Sequence, residues 1–188
     1  AADFVKAYGA NDGIAKFEAF KSSVDTARII FDMRTMTNES IIAQVEAASP
    51  RSSGNGAALE SKRFDMVAAA AQETLKARAA DPAGYTMGVF PEVATAFEEA
   101  QKDPAKMSEA LTAMQAAQAE LGLDEMQLLP KAYATQAASA FNDTTIPAGD
   151  RVRAVASLLL STDDEKQQLS IYKQLVGAGV PEYTQGAV

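Results

Sequence analysis

The sequence predicts an all-α protein, an array or bundle of about seven to nine antiparallel helices with short Asp-Pro and Gly turns, forming a single helical module over residues 1–188. Three observations predict it. Alanine is abundant while Val, Ile and Thr are sparse and aromatics make up only 7% of the chain, so the residues that lose least on entering a helix dominate. Apolar residues recur at three- and four-residue steps, the spacing that lines one face of a helix. Asp-Pro and Gly then divide these runs, because Asp bonds free amides at a helix start, Pro tolerates the first turn and Gly accepts the backbone of a helix end.

After Tyr8-Gly9-Ala10, Asn11 or Asp12 is expected to cap a helix to about Arg34, with Ile14, Phe17, Val24, Ala27 and Phe31 on its inner face. Asn38 caps a shorter helix through Ile41, Ile42 and Val45, ended by Ser49-Pro50. The turn-rich run Ser49 to Gly56 reads as a flexible loop, or a sub-domain boundary, near residues 49–57. A helix follows from about Ala58 to Ala80, its face marked by Leu59, Val67, Ala71, Leu75 and Arg78.

Asp81-Pro82-Ala83 opens a short helix interrupted by Gly84 and Gly88, with a second start near Pro91 carrying Val93, Ala94 and Phe97. Asp103-Pro104-Ala105 opens a helix with Met107, Leu111, Met114 and Ala117, stopped at Leu121-Gly122. Asp124 to Pro130 reads as a single turn feeding a helix to about Phe141, and Ile146-Pro147 starts one with Val152, Val155, Leu158 and Leu159. Thr162-Asp163-Asp164-Glu165 is expected to form a capping box for a last helix carrying Leu169, Tyr172, Leu175 and Val176, which ends at Gly177. The two Asp-Pro-Ala copies are followed by unrelated residues, so recurrent capping rather than an internal repeat explains them.

With neither Cys nor His, the chain can supply no disulfide framework, thiolate nucleophile, Cys/His zinc site or Ser-His-Asp triad. Carboxylates and lysines remain for acid–base chemistry or a hard-cation site. The net charge of −8 is uneven, with 10 Lys+Arg against 11 Asp+Glu over residues 1–90 and 7 against 14 over 91–188. Such a surface disfavours binding to phosphate backbones, so no nucleic-acid partner is expected. Lys62-Arg63 with Lys76 and Arg78 is read as a solvated face rather than a binding stripe. The longest apolar runs, Val67–Ala71 and Ala154–Leu160, fall short of a membrane span, and no basic-then-apolar leader opens this segment, so neither membrane span nor signal peptide is expected.

Gln44-Val45-Glu46-Ala47-Ala48-Ser49-Pro50, followed by Ser52-Ser53-Gly54, faintly resembles the signature of lytic transglycosylases, in which a glutamate at a helix end protonates a glycosidic oxygen. The serine that usually follows the glutamate is Ala47 here, and Glu46 is expected on an open, solvated surface. Asp163, Asp164 and Glu165 are consecutive, so on a helix they point apart and suit helix-start electrostatics rather than a metal. Gly177-Ala178-Gly179 lacks the Lys-Ser/Thr of a phosphate loop and reads as a helix stop. Met33, Met36, Met107 and Met114 are expected in the core. No catalytic, cofactor-binding or metal-binding residue is assigned, and no cofactor is expected.

A set of short segments, in order, also points to a family. Asp3-Phe4-Val5-Lys6-Ala7-Tyr8-Gly9 with Asp12-Gly13, Met36-Thr37, and Arg78-Ala79-Ala80-Asp81-Pro82-Ala83-Gly84-Tyr85 are followed by Leu121-Gly122, Leu128-Leu129-Pro130-Lys131-Ala132, and Pro147 with Arg151-Val152. Together they resemble a region of the large internal, or ejection, proteins of tailed phages and prophages, often described as carrying a lytic transglycosylase domain elsewhere in a long polypeptide. The resemblance implies a helical structural or scaffolding module for particle assembly or genome ejection, non-catalytic itself. Its implied partners are other virion proteins or the rest of its own parent chain. Its implied location is the virion, or the bacterial cytoplasm during assembly.

Overall fold

A computed structural model of the chain describes residues 1–51, 56–123 and 126–182, and every regular element in it is helical. Among the described residues there are ten α-helices and one 3₁₀ turn, against the seven to nine helices expected. The surplus over nine is a break that hydrophobic spacing does not register: Gly9 separates a seven-residue helix from the next, whereas the break at Phe90, between two helices that each begin on proline, follows the expected start near Pro91. Residues 52–55 of the expected loop lie outside the described residues, as do Asp124 and Glu125 of the expected turn. The chain divides into two compact units, 1–76 and 77–188, and this division falls within a helix.

The first unit begins with α1 (Ala2–Tyr8), which doubles back at Gly9 onto α2 (Ala10–Asp32). Gly9 has a φ of 81°, open to glycine and strained for other residues. Gly13 permits the close approach that follows, since a Cβ there would lie 2.5 Å from the Cα of Val5. The hairpin is held by rings, with Phe4 packed 5.7 Å from both Phe17 and Phe20. α3 (Asn38–Ala47) is capped by Thr37, whose hydroxyl accepts from the amide of Ser40, and not by Asn38. Met33, Ile41, Ala48, Val67 and Ala71 form a small core between the end of α2, α3 and α4 (Ala57–Ala80).

The expected inner face of α2 is corrected by the structure. Ile14, Val24, Ala27 and Phe31 are exposed, and the only buried residues of the helix are Gly13 and Thr26. The helix meets its core through Ile29 and, just past its end, Met33, which lie on a different side. Spacing marked an apolar stripe; it could not say that, among the described residues, much of that stripe stays exposed.

The second unit holds α5 (Pro82–Val89), α6 (Pro91–Lys102), a 3₁₀ turn (Pro104–Lys106), α7 (Met107–Glu120), α8 (Lys131–Asn142), α9 (Ala148–Leu159) and α10 (Glu165–Gly177). α6 packs on α5 and α7, and α8 on α9 and α10. Between them Phe97, Leu111, Met114, Leu121, Leu128, Leu129, Ile171 and Leu175 are fully buried, each stabilising the fold by roughly 1.5–3 kcal/mol. Asp81 caps α5 by accepting from the amide of Gly84 and also accepts from the amide of Lys131 at the start of α8, tying two helix starts to one carboxylate. α7 ends as expected at Gly122, φ 66°, with the amide of Leu123 bonded to the carbonyl of Gln118.

One end signal differs from expectation. Asp164, not Thr162, caps α10 by accepting from the amides of Lys166 and Gln167, because the helix starts later than the Thr-to-Glu spacing requires; no capping box forms. Thr162 instead donates to the side chain of Gln167. The other end of α10 is as expected: the helix ends at Gly177, and Gly179 beyond it, φ 112°, turns the chain so that the amide of Val180 bonds to the carbonyl of Leu175.

Candidate functional site

Glu46, the residue with the clearest catalytic precedent, lies in the last turn of α3. Ile41, Ile42 and Val45 on α3 and Ala68, Ala71 and Leu75 on α4 line a groove of about 500 Å³ within the first unit, where Glu46, Gln72 and Lys76 supply the polar rim. The expectation of an open surface is thereby refined: Glu46 is exposed, but at the edge of an apolar groove. It is the only carboxylate among the described residues lining that groove. Glu46 is exposed, whereas the acid of a glycosidase sits in a buried pocket.

A larger groove, about 780 Å³, lies in the second unit between α8 and α10. Lys131, Lys166 and Lys173 line it together with Leu169, Met126 and Gln174, and no carboxylate is among its described lining residues. Its floor is built by side chains that satisfy a stretch of non-helical backbone. Gln174 accepts from the amides of Leu128 and Leu129 at 2.9 and 3.0 Å and donates to the carbonyl of Leu129 at 2.6 Å. Ser170 donates to the carbonyl of Met126, and the fully buried Gln118 on α7 bonds both backbone groups of Gln127. Sequence reading placed none of these residues, since long polar side chains on a helix read as solvated until a partner strand of backbone appears beside them.

The remaining residues singled out in the sequence are dispersed. Asp163, Asp164 and Glu165 are exposed at the start of α10, and among the described residues no group of three or more acidic side chains converges in the way a metal ion requires. Gly177-Ala178-Gly179 closes α10. Met33, Met107 and Met114 are buried in the two cores. The basic run is corrected: Lys62 and Lys76 are exposed, but Arg78 is buried, its guanidinium 3.5 Å from the carbonyl of Leu121 and 5.0 Å from the ring of Tyr85. A cation there meets the partial negative charge of the C-terminal end of α7.

Shifted titrations stand outside both grooves. Lys106 donates to Glu99 at 2.7 Å, which lowers the carboxyl and raises the amine, and both side chains are exposed. Burial raises the phenol of Tyr133 on α8. Fold and grooves together define an all-helical protein with an apolar groove and a lysine-lined one. No family model matches this chain, and neither a curated protein nor a solved structure does. No described helix is long and apolar enough to cross a membrane.

Proposed function

We propose that the chain is a helical structural module of a larger internal virion protein of a tailed phage or prophage, acting in particle assembly or genome ejection and without catalysis of its own. The ordered set of short matches running from Asp3 to Val152 supports the family. The observation that carries the non-catalytic reading is the position of Glu46, exposed at the rim of an apolar groove with no second carboxylate among the described lining residues. On this reading successive helices of each unit run antiparallel. The partners are other virion proteins or the rest of the parent chain, met in the virion or in the bacterial cytoplasm during assembly.

The test is incubation of the full chain with purified peptidoglycan. No soluble glycan fragments are expected, from either the native chain or its Glu46→Gln variant. Fragment release that Glu46→Gln abolishes would establish the alternative, a glycan-cleaving enzyme using Glu46 as its acid. The groove between α3 and α4 also favours a second reading, a helical adaptor that binds a protein partner through apolar side chains. Binding of a purified virion component that is lost on Ile42→Asp, an exposed groove position, would support it.

A further inference from the structure

From Phe17 to Phe31, α2 carries a seven-residue repeat. Phe17, Val24 and Phe31 recur at one position and Phe20 and Ala27 at a second, three residues on. Gly13 extends the same alternating steps of four and three backwards. This is the narrow seam by which one helix packs along another, rather than the broad stripe of a helix lying on a globular core. α1 already occupies its first part, where Phe4 meets Phe17 and Phe20. Beyond α1 the seam continues exposed among the described residues: Val24 is 50% and Phe31 66% exposed, with the small residue Ala27 between them and the Arg34 guanidinium 5.6 Å over the Phe31 ring.

The residues beside the seam select its occupant. The two positions that flank a helix seam carry Lys16, which lies 4.0 Å over the Tyr8 ring of α1, and, beside the exposed half, Lys21 and Arg28 with Ser23 and Ile30 but no acid. Glu18, Asp25 and Asp32 repeat one step further out, and Arg28 lies 3.8 Å from Asp32 there. A second copy of α2 would set base against base in either direction, Lys16 near Lys21 if parallel and Lys21 or Arg28 near its counterpart if antiparallel. We infer that the exposed half of the α2 seam is a docking face for an amphipathic helix of another polypeptide whose seam is flanked by acidic residues. The inference deepens the reading of the chain as an assembly module and rests on it.

Two synthetic helices of about three heptads, with leucine in the seam and either glutamate or lysine at every flanking position, test it against the full 188-residue chain by fluorescence anisotropy. The glutamate-flanked helix is expected to bind about tenfold more tightly than the lysine-flanked one, the two charges beside the exposed half, Lys21 and Arg28, being turned from attraction to repulsion. Val24→Asp with Phe31→Asp, at exposed sites and with helical content checked by circular dichroism, is expected to abolish binding. Lys21→Glu with Arg28→Glu is expected to reverse the preference towards the lysine-flanked helix, an outcome that loss of folding cannot produce. Equal affinity for the two helices, absence of binding, or binding that survives the aspartates would overturn the inference. So would a dimer in sedimentation, or attachment to anionic phosphatidylserine vesicles, that the aspartates remove, since a second copy or a lipid surface would then hold the seam. Failure here would leave the peptidoglycan result standing as the separate measure of the non-catalytic reading.

Discussion

Asp143 accepts from the hydroxyl of Thr145 at 2.6 Å and from its amide at 2.9 Å, and these bonds hold its carboxyl below the usual aspartate range. A carboxyl lowered in the folded state contributes stability above the ordinary aspartate value and loses it as pH falls through the lowered one. Asp143→Asn is therefore expected to lower the thermal midpoint at about pH 6 and to match the native chain at about pH 2, where both forms are neutral. An unchanged gap at the lower pH would show that the carboxylate charge is not the cause. Sequence could suggest this turn, because Asp and Thr two residues apart bond locally. The roles of Gln118, Gln174 and Arg78 could not be read the same way. Their partners are the backbone of Gln127, Leu128, Leu129 and Leu121, nine to 46 residues distant. The two glutamines read locally as surface residues, and Arg78 reads both as part of the Leu75 face and as part of a basic run; burial follows from amides and carbonyls that reach each only in the folded chain.

The helices owe their limits to chemistry within a few residues. Gly84 is required by the cap of α5, since a Cβ there would sit 2.2 Å from the carboxylate of Asp81. Gly88, in the same helix, faces open space. Gly88→Ala is expected to stabilise the chain by about 0.5–1 kcal/mol through helix propensity. Gly84→Ala, which must displace a carboxylate bonded to two helix starts, is expected to cost about 1 kcal/mol net of that gain. Urea unfolding of the two variants checks both signs, and a stabilising Gly84→Ala would remove Asp81 as a shared cap. Element starts and stops such as Asp81, Asp103 and Gly122 were legible because caps act locally. The start of α10 was not: both Thr162 and Asp164 are capping residues, and the choice of Asp164 sets the helix two residues later.

At the scale of the molecule, the two units distribute their apolar residues differently. Phe97 in the second unit is fully buried, whereas Phe31 in the first is largely open to solvent. Phe97→Ala is expected to cost about 3–5 kcal/mol and Phe31→Ala to stay within about 0.5 kcal/mol, read from denaturant midpoints of the isolated chain. A large loss at Phe31 would mean that the α2 seam is already covered. The sequence by itself determined that the chain is helical and, for most elements, where each helix begins and ends. Propensity, caps and glycine stops depend on neighbours within about four residues. Only the tertiary structure decided which apolar stripe is buried and which is left open on α2, that Arg78 and Gln118 turn inward, and that Glu46 borders an apolar groove. Periodicity names a face of a helix; what covers that face is a property of segments far away in the chain or of another molecule.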